Sequence, residues 1–353
     1  MTHNPPLSPR PLRHLTDVQR RVLTTAQLRA HGVTAAETND HCRPGGPWRQ
    51  LLPGVYLLHP GPPTAEERLH AVLLYAARSS LAGPAPAVPS QPGAGDRRGP
   101  LPYTDAMITG LAALTLYGFA CAPSLPALET IDVLVPRLRR LRSTGCARVI
   151  RTPSLPAPRL VTGVPLAPVP RALADAVARL PDAGAVRRLL TEAVRGGHCE
   201  PAAVVQELNQ TKLLGRPHLV DAVDSLLAEG RAIAEDRLYR MVREHGLPDP
   251  VWNVDLRLPG GPCLGGLDAY WPEQAVALEL DTRAPRQGAP RDDEPWSEYA
   301  RKRELLERLG ITVVHLTPKK LRDAAKQQAT VVRTALMAAA DREPAAYVVV
   351  LPR

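Results

Sequence analysis

Residues 264–281 read L-G-G-L-D-A-Y-W-P-E-Q-A-V-A-L-E-L-D, and no other stretch limits the fold of this chain so tightly. Leu267, Ala269 and Trp271 alternate with Asp268 and Tyr270, a period of two that predicts a strand. Pro272, Glu273 and Gln274 predict a turn, and residues 275–280 form a near-continuous apolar run of the kind buried on both faces of a sheet. Asp268, Glu279 and Asp281 interrupt this apolar region. A carboxylate in such a place is costly unless it is paired, hydrogen-bonded or bound to a metal. An aspartate on one strand and an acidic pair on the next can converge at adjacent strand ends, which is how a divalent-cation site with oxygen ligands is built.

The flanks extend the pattern. Glu235 and Asp236 lie on a predicted helix upstream. Downstream, residues 297–309 (S-E-Y-A-R-K-R-E-L-L-E-R-L) predict another helix, followed by Gly310 and the strand I-T-V-V-H-L. The order helix with Glu, strand, strand with Asp, strand with E-x-D, helix with Arg/Lys, strand resembles the PD-(D/E)xK nuclease superfamily. Within it, the chain is most similar to the very-short-patch-repair-like (Vsr-like) domains. Asp268, Glu279-Leu280-Asp281, Arg301 and Arg303, Leu305 and Leu306, and G-I-T-V-V from Gly310 carry the likeness, which spans residues 231–340. It implies a restriction-endonuclease-like α/β/α sheet, with Asp268, Glu279 and Asp281 as ligands of Mg²⁺. It also implies catalytic roles for Glu235, Asp268, Glu279, Asp281 and Lys302. The superfamily's lysine, two residues after the second acid, is here Asp281, and the Gly and His that often follow in Vsr-like domains are Thr282 and Arg283. Lys302 can stand in from the helix, because its spacing to Leu305, Leu306 and Leu309 puts it on the face that packs on the sheet. Two bland alternatives remain open: Lys302 sends its ammonium to solvent, and the acids form a structural cluster with nearby arginines.

The chain has 353 residues, enough for two or three domains, and its 44% hydrophobic content suffices for real cores. No run of about eighteen apolar residues appears, so no membrane span is expected. The first residues, M-T-H-N-P-P-L-S-P-R, lack a signal-peptide core. Five scattered cysteines, none in a CxxC pair, point to reduced thiols of a cytoplasmic protein. Residues from Arg231 onward carry 19 basic and 18 acidic side chains, so +8 of the net +9 falls before them. That surplus suits a phosphate-rich partner without specifying one.

Residues 1–14 are a Pro-rich tail expected to be disordered. Residues 15–62 predict helix, turn, helix and a hairpin turning at Pro53-Gly54, the order of a winged helix-turn-helix. L-R-A-H-G-V-T and G-P-W-R-Q-L-L-P-G-V-Y-L-L-H resemble the N-terminal module of AbiEi-type antitoxins of toxin–antitoxin systems. The likeness implies a DNA-contacting helix at residues 35–43, with Thr34, Thr38, Asn39, His41 and Arg43 facing outward and Arg49 reaching phosphate from the wing. It also implies a cognate toxin as partner. Against this, Glu37 and Asp40 repel phosphate.

Residues 63–230 make a middle α/β and helical region, interrupted by a Pro/Gly/Ala insertion at 82–101 too polar to pack. Residues 104–118 predict a buried helix, and residues 131–136 and 147–152 two strands. No acid occurs from Val133 to Leu155, whereas Arg137, Arg139, Arg140 and Arg142 lie between the strands. Arginines on such a hairpin can clamp phosphate by forked hydrogen bonds. G-L-A-A-L, I-D-V-L-V-P-R and V-I-R-T also resemble the middle region of AbiEi-like proteins. The His198-Cys199 pair is too sparse for a metal site, and His315 reads as a packed histidine. The C-terminal A-A-Y-V-V-V-L-P predicts a last strand on a sheet edge.

The expected molecule is therefore multi-domain α/β: a winged helix-turn-helix, a middle α/β and helical region, and a nuclease-like domain at 231–353. Its expected function is that of a DNA-associated, metal-dependent endonuclease-like protein. The alternative is a non-catalytic DNA-binding regulator or antitoxin that has kept a nuclease fold without its chemistry.

Overall fold

The computed structural model describes residues 21–77, 103, 105–282, 294–340 and 348–353. The expected tail, the insertion at 82–101 and residues 15–20 of the expected winged helix-turn-helix lie outside the described residues. The chain is mixed α/β and divides into two compact units between Leu189 and Leu190. No helix among the described residues is long and apolar enough to cross a membrane.

The first unit opens with β1 (Val22–Thr24), α1 (Thr25–Ala30), α2 (Ala35–His41), β2 (Arg49–Leu52) and β3 (Val55–Leu57). Both helices begin with a capping box: Thr24 with Gln27, and Thr34 with Glu37. Each box satisfies two of the orphan N–H groups at a helix start. The strands form an antiparallel sheet in the order β1-β3-β2, turning at Gly54, whose φ is +70°. The buried helix α3 (Ala65–Ala77) follows.

The rest of this unit is a five-stranded mixed sheet. Its strands are β4 (Met107–Thr109), β5 (Ile131–Pro136), β6 (Ala147–Thr152), β7 (Arg159–Val161) and β8 (Val164–Leu166), ordered β6-β5-β4-β8-β7. Helices α4 (Gly110–Leu116) and α5 (Val169–Val177) pack with it. Two expectations need correction. Residues 104–118 do not form one helix: β4 precedes α4, because Thr109 is extended (φ −137°) and Gly110 turns the chain with φ +62°. And β5 and β6 are parallel, so residues 137–146 are not a hairpin but a crossover that returns along the sheet.

The division between the units falls inside α6 (Ala183–Arg195). The second unit continues through α7 (Pro201–Gln210) to α8 (Pro217–Glu244), a 28-residue helix that runs unbroken through residues 230 and 231, where a domain boundary was expected. Then come β9 (Val251–Arg257), β10 (Cys263–Trp271), β11 (Val276–Leu280), α9 (Glu294–Arg308), β12 (Thr312–Leu316), α10 (Pro318–Asp323), α11 (Ala325–Ala340) and β13 (Val349–Pro352). The sheet order is β12-β11-β10-β9-β13; β12 is parallel to β11 and the other pairs are antiparallel. The C-terminal strand thus covers the β9 edge, as its apolar run predicts.

Two apolar layers sandwich this sheet. On one face Trp271, Val276, Leu278 and Leu280 pack with Leu238 and Met241 of α8 and with Val332 and Leu336 of α11. On the other, Val254, Leu256, Leu267, Tyr270 and Ala277 pack with Leu306 of α9. Each large side chain buried this way contributes about 1.5–3 kcal/mol. The layers exchange at one place. Trp252 and Ala269 face the first layer, whereas their neighbours Val254 and Leu267 face the second. Strict alternation would keep each pair on one face. Asn253, with φ +50°, breaks it on β9. Asp268 lies between Leu267 and Ala269 at this switch.

Candidate acidic site on the C-terminal sheet

Asp268 and Glu279 are both buried, at 8% and 5% exposure. They sit on adjacent antiparallel strands, since Ala269 pairs with Leu278. Burial of two carboxylates demands compensation, and it comes from both helical layers. Arg231 of α8 donates Nη2 to Asp268 Oδ1 at 2.8 Å and Nε to Glu235 Oε1 at 2.8 Å. The backbone N–H of Leu280 donates to Asp268 Oδ2 at 2.6 Å. On the other side, Lys302 of α9 ion-pairs with Glu279 Oε1 and donates to the Gly266 carbonyl at 2.7 Å. Gly265 makes room for that lysine: its φ is +111°, and a Cβ there would stand 2.8 Å from Lys302 Cε.

The electrostatics follow from this packing. Burial raises the pKa of Asp268, and the nearby charges of Glu235 and Glu279 raise it further, while the Leu280 N–H and Arg231 pull it down. His315 pairs in register with Glu279 across the parallel strands, and its Nδ1 lies 3.5 Å from Glu279 Oε2. Burial lowers the His315 pKa, against the opposing pull of Glu279. The arrangement collects negative charge in a partly dehydrated place and holds it with two long cationic side chains.

Of the expected site residues, the structure joins Asp268 to Glu235 through Arg231, and Glu279 to Lys302. Lys302 therefore does not simply send its ammonium to solvent. Asp281 is half-buried just beyond β11, its N–H donating to the Leu316 carbonyl at 2.8 Å. Among the described residues no three His, Cys, Asp or Glu side chains gather into a group that could hold a metal ion, so the expected three-carboxylate set of Asp268, Glu279 and Asp281 is not assembled. Arg231 and His315 were not among the expected participants. Arg231 and Glu235 sit one helical turn apart, which is a legible signal; the Glu279–His315 pairing needed the strand register.

The expected DNA-contact residues divide unevenly. Thr34 is exposed, but its hydroxyl caps α2 by accepting from the Glu37 N–H at 3.2 Å. Thr38 does not face outward: it is buried, and its hydroxyl donates to the Thr34 carbonyl at 2.9 Å. Asn39 and Arg43 are exposed, Arg43 pairing with Asp40 at 2.9 Å. His41 packs on Trp48, with ring centroids 4.4 Å apart. Arg49 is exposed on β2 and donates to the Gly61 carbonyl at 3.4 Å. On the crossover, Arg137, Arg140 and Arg142 are exposed, but Arg139 turns inward.

Comparison of the sequence with protein-family models gives no match, and comparison with curated proteins gives none either.

Proposed function

We propose that this chain is a DNA-associated protein whose C-terminal unit is a PD-(D/E)xK-like domain able to hydrolyse a phosphodiester. The observation that carries the reading is the meeting of Glu279 and Lys302, next to buried Asp268, from elements far apart in the sequence. An acid–acid–lysine group of this kind is what the resemblance asks for, with the lysine supplied by α9 instead of β11. The succession α8, β9, β10, β11, α9, β12, with β12 parallel to β11, supports the same reading. The succession β1, α1, α2, β2, β3 supports a winged helix-turn-helix in the first unit. The protein would act in the cytoplasm.

The donor set suits magnesium. Mg²⁺ is commonly held by one or two carboxylates, with water and substrate phosphate in the other positions, and Asp268 and Glu279 supply two. Bound there, it would polarise the phosphate and lower the pKa of a water. Lys302 would hold Glu279 in place and offer its remaining N–H toward the attacking water. Arg231 would release Asp268 Oδ1 and stay on Glu235, a move its half-exposed side chain allows. His315 would accept a proton in its neutral form, which burial favours.

The test is nicking of supercoiled plasmid by the full chain with Mg²⁺ or Mn²⁺. Asp268→Asn should abolish cleavage while the chain stays folded by circular dichroism at the assay temperature, with a melting temperature lowered by loss of the Arg231 pair. Cleavage that survives this substitution would remove the site from consideration.

A second reading is favoured by one observation: both oxygens of Asp268 are already taken, by Arg231 and by the Leu280 N–H. A chain that binds duplex DNA without nicking it, and equally well as Asp268→Asn, would be a non-catalytic regulator or antitoxin, with a cognate toxin as the partner to seek.

A further inference from the structure

The arginines of the β5–β6 crossover and of β6 itself fall into two sets. Arg139 and Arg151 use their N–H groups on the protein itself. Arg139 Nη1 donates to the Ala76 carbonyl at 3.4 Å, and Nη2 lies 3.6 Å from the Asp105 carboxylate. Arg151 donates Nε to the Arg139 carbonyl at 3.2 Å and Nη2 to the Leu141 carbonyl. The Tyr75 hydroxyl donates to the Arg142 carbonyl at 2.8 Å, the Val149 N–H donates to Ser143 Oγ at 3.0 Å, and Leu141 is buried. The backbone of the crossover is thus pinned along its length. Arg137, Arg140 and Arg142 are exposed and make no ion pair among the described residues. Leu138, beside them, is 92% exposed.

A lone exposed leucine means little. Here it stands on a pinned loop among three guanidinium groups that pair with no acid among the described residues. We propose that residues 137–142 form a duplex-DNA contact, with Arg137, Arg140 and Arg142 on phosphates and Leu138 against the minor groove. This rests on the proposed DNA association and identifies the part of the first unit, outside α2 and its wing, that grips the duplex. Arginine's planar fork matches phosphate oxygens. Apolar side chains flanked by arginine are tolerated in the minor groove, where they wedge base steps. One leucine offers too little apolar area to anchor the loop in a membrane.

The test uses the full chain and a short fluorescein-labelled mixed-sequence duplex, with anisotropy read across a salt series. R137A/R140A/R142A should bind about tenfold more weakly near physiological salt, and its log K against log salt should flatten by about 2 to 3. R137K/R140K/R142K should restore the slope, which loop damage would not. L138A should keep the slope and lose affinity by a few fold. If wild type binds the duplex and the alanine variant binds with equal affinity and slope, the crossover is not the contact, although DNA association stands. If wild type binds no duplex, both proposals fail. Preference for phosphatidylserine vesicles over the duplex would also overturn the inference and assign the loop to an anionic membrane.

Discussion

The two units bury polar groups in different ways. In the first, Asp132 and Asp175 are matched by near neighbours, while Glu67 meets His59 at 3.1 Å and Arg21 at 4.0 Å. Asp132 and Arg148 are register partners on β5 and β6, with Nη2 2.6 Å from Oδ2. Asp175 pairs with Arg171 one turn earlier on α5 and accepts from Thr109 at 2.7 Å. His70 meets the Tyr103 hydroxyl in the core. In the second unit, Asp268 and Glu279 are matched across layers by cations from two different helices. The Arg231 side chain is 43% exposed, whereas those of Arg148 and Lys302 are 23% and 21% exposed, so the Asp268 pair is the one held from the surface. Pairs set by register or by one helix turn hold a fold together. Pairs whose cations reach in from the surface can open, and they are where chemistry or ligand exchange is to be sought.

The strongest test of this contrast is Lys302→Met. It leaves Glu279 buried without its cation and should cost about 4 kcal/mol in urea unfolding. K302M/E279L, which removes both charges, should recover most of that loss. A cost under about 1 kcal/mol for the single change would mean that water already compensates Glu279, and the contrast with Asp132 would fail.

Next in size is the pH response of the first unit. Burial lowers the His70 pKa to about 4 from its ordinary 6.5. The unfolded chain therefore binds the proton first. Stability is full above pH 6.5 and falls as pH drops through the window to 4, by about 3 kcal/mol in all. His70→Gln should flatten that part of the stability curve, and an unchanged curve would place the acid sensitivity elsewhere.

Gly265→Ala should cost about 2 kcal/mol, because φ +111° disfavours a side chain and the new Cβ drives Lys302 from Glu279. It should therefore lower any nicking activity as well as the melting temperature, whereas a purely structural role for Lys302 predicts only the second. The smallest effect belongs to Thr34→Ala: loss of the cap on α2 costs about 1 kcal/mol. DNA affinity should fall no further than that loss of folding explains.

Much of this was readable along the chain. The strand signal at 267–271, the turn at 272–274 and the apolar run at 275–280 correspond to β10 and β11, although Leu267 and Ala269 face opposite layers. Leu306 and Leu309, after Lys302, placed it on the sheet-facing side of α9, where it meets Glu279, although Leu305 of the same expected face is exposed. Threonine caps marked the starts of α1 and α2. These features are local, and local periodicity and capping are properties of a few consecutive residues.

Other features could not be read this way. Thr109-Gly110 looks helical in a run of small apolar residues, yet β4 forms because its neighbours β5 and β8 claim its backbone hydrogen bonds. The strands β5 and β6 allow a hairpin or a crossover, and only packing of the whole sheet selected the parallel pair. Thr38 has the same local signals as Asn39, yet Thr38 is buried and Asn39 exposed. The sequence by itself determined where the carboxylates sit on their strands and that they would need partners. Which cation each one received, and which arginines were left facing outward, depended on distances across layers that no spacing along the chain encodes.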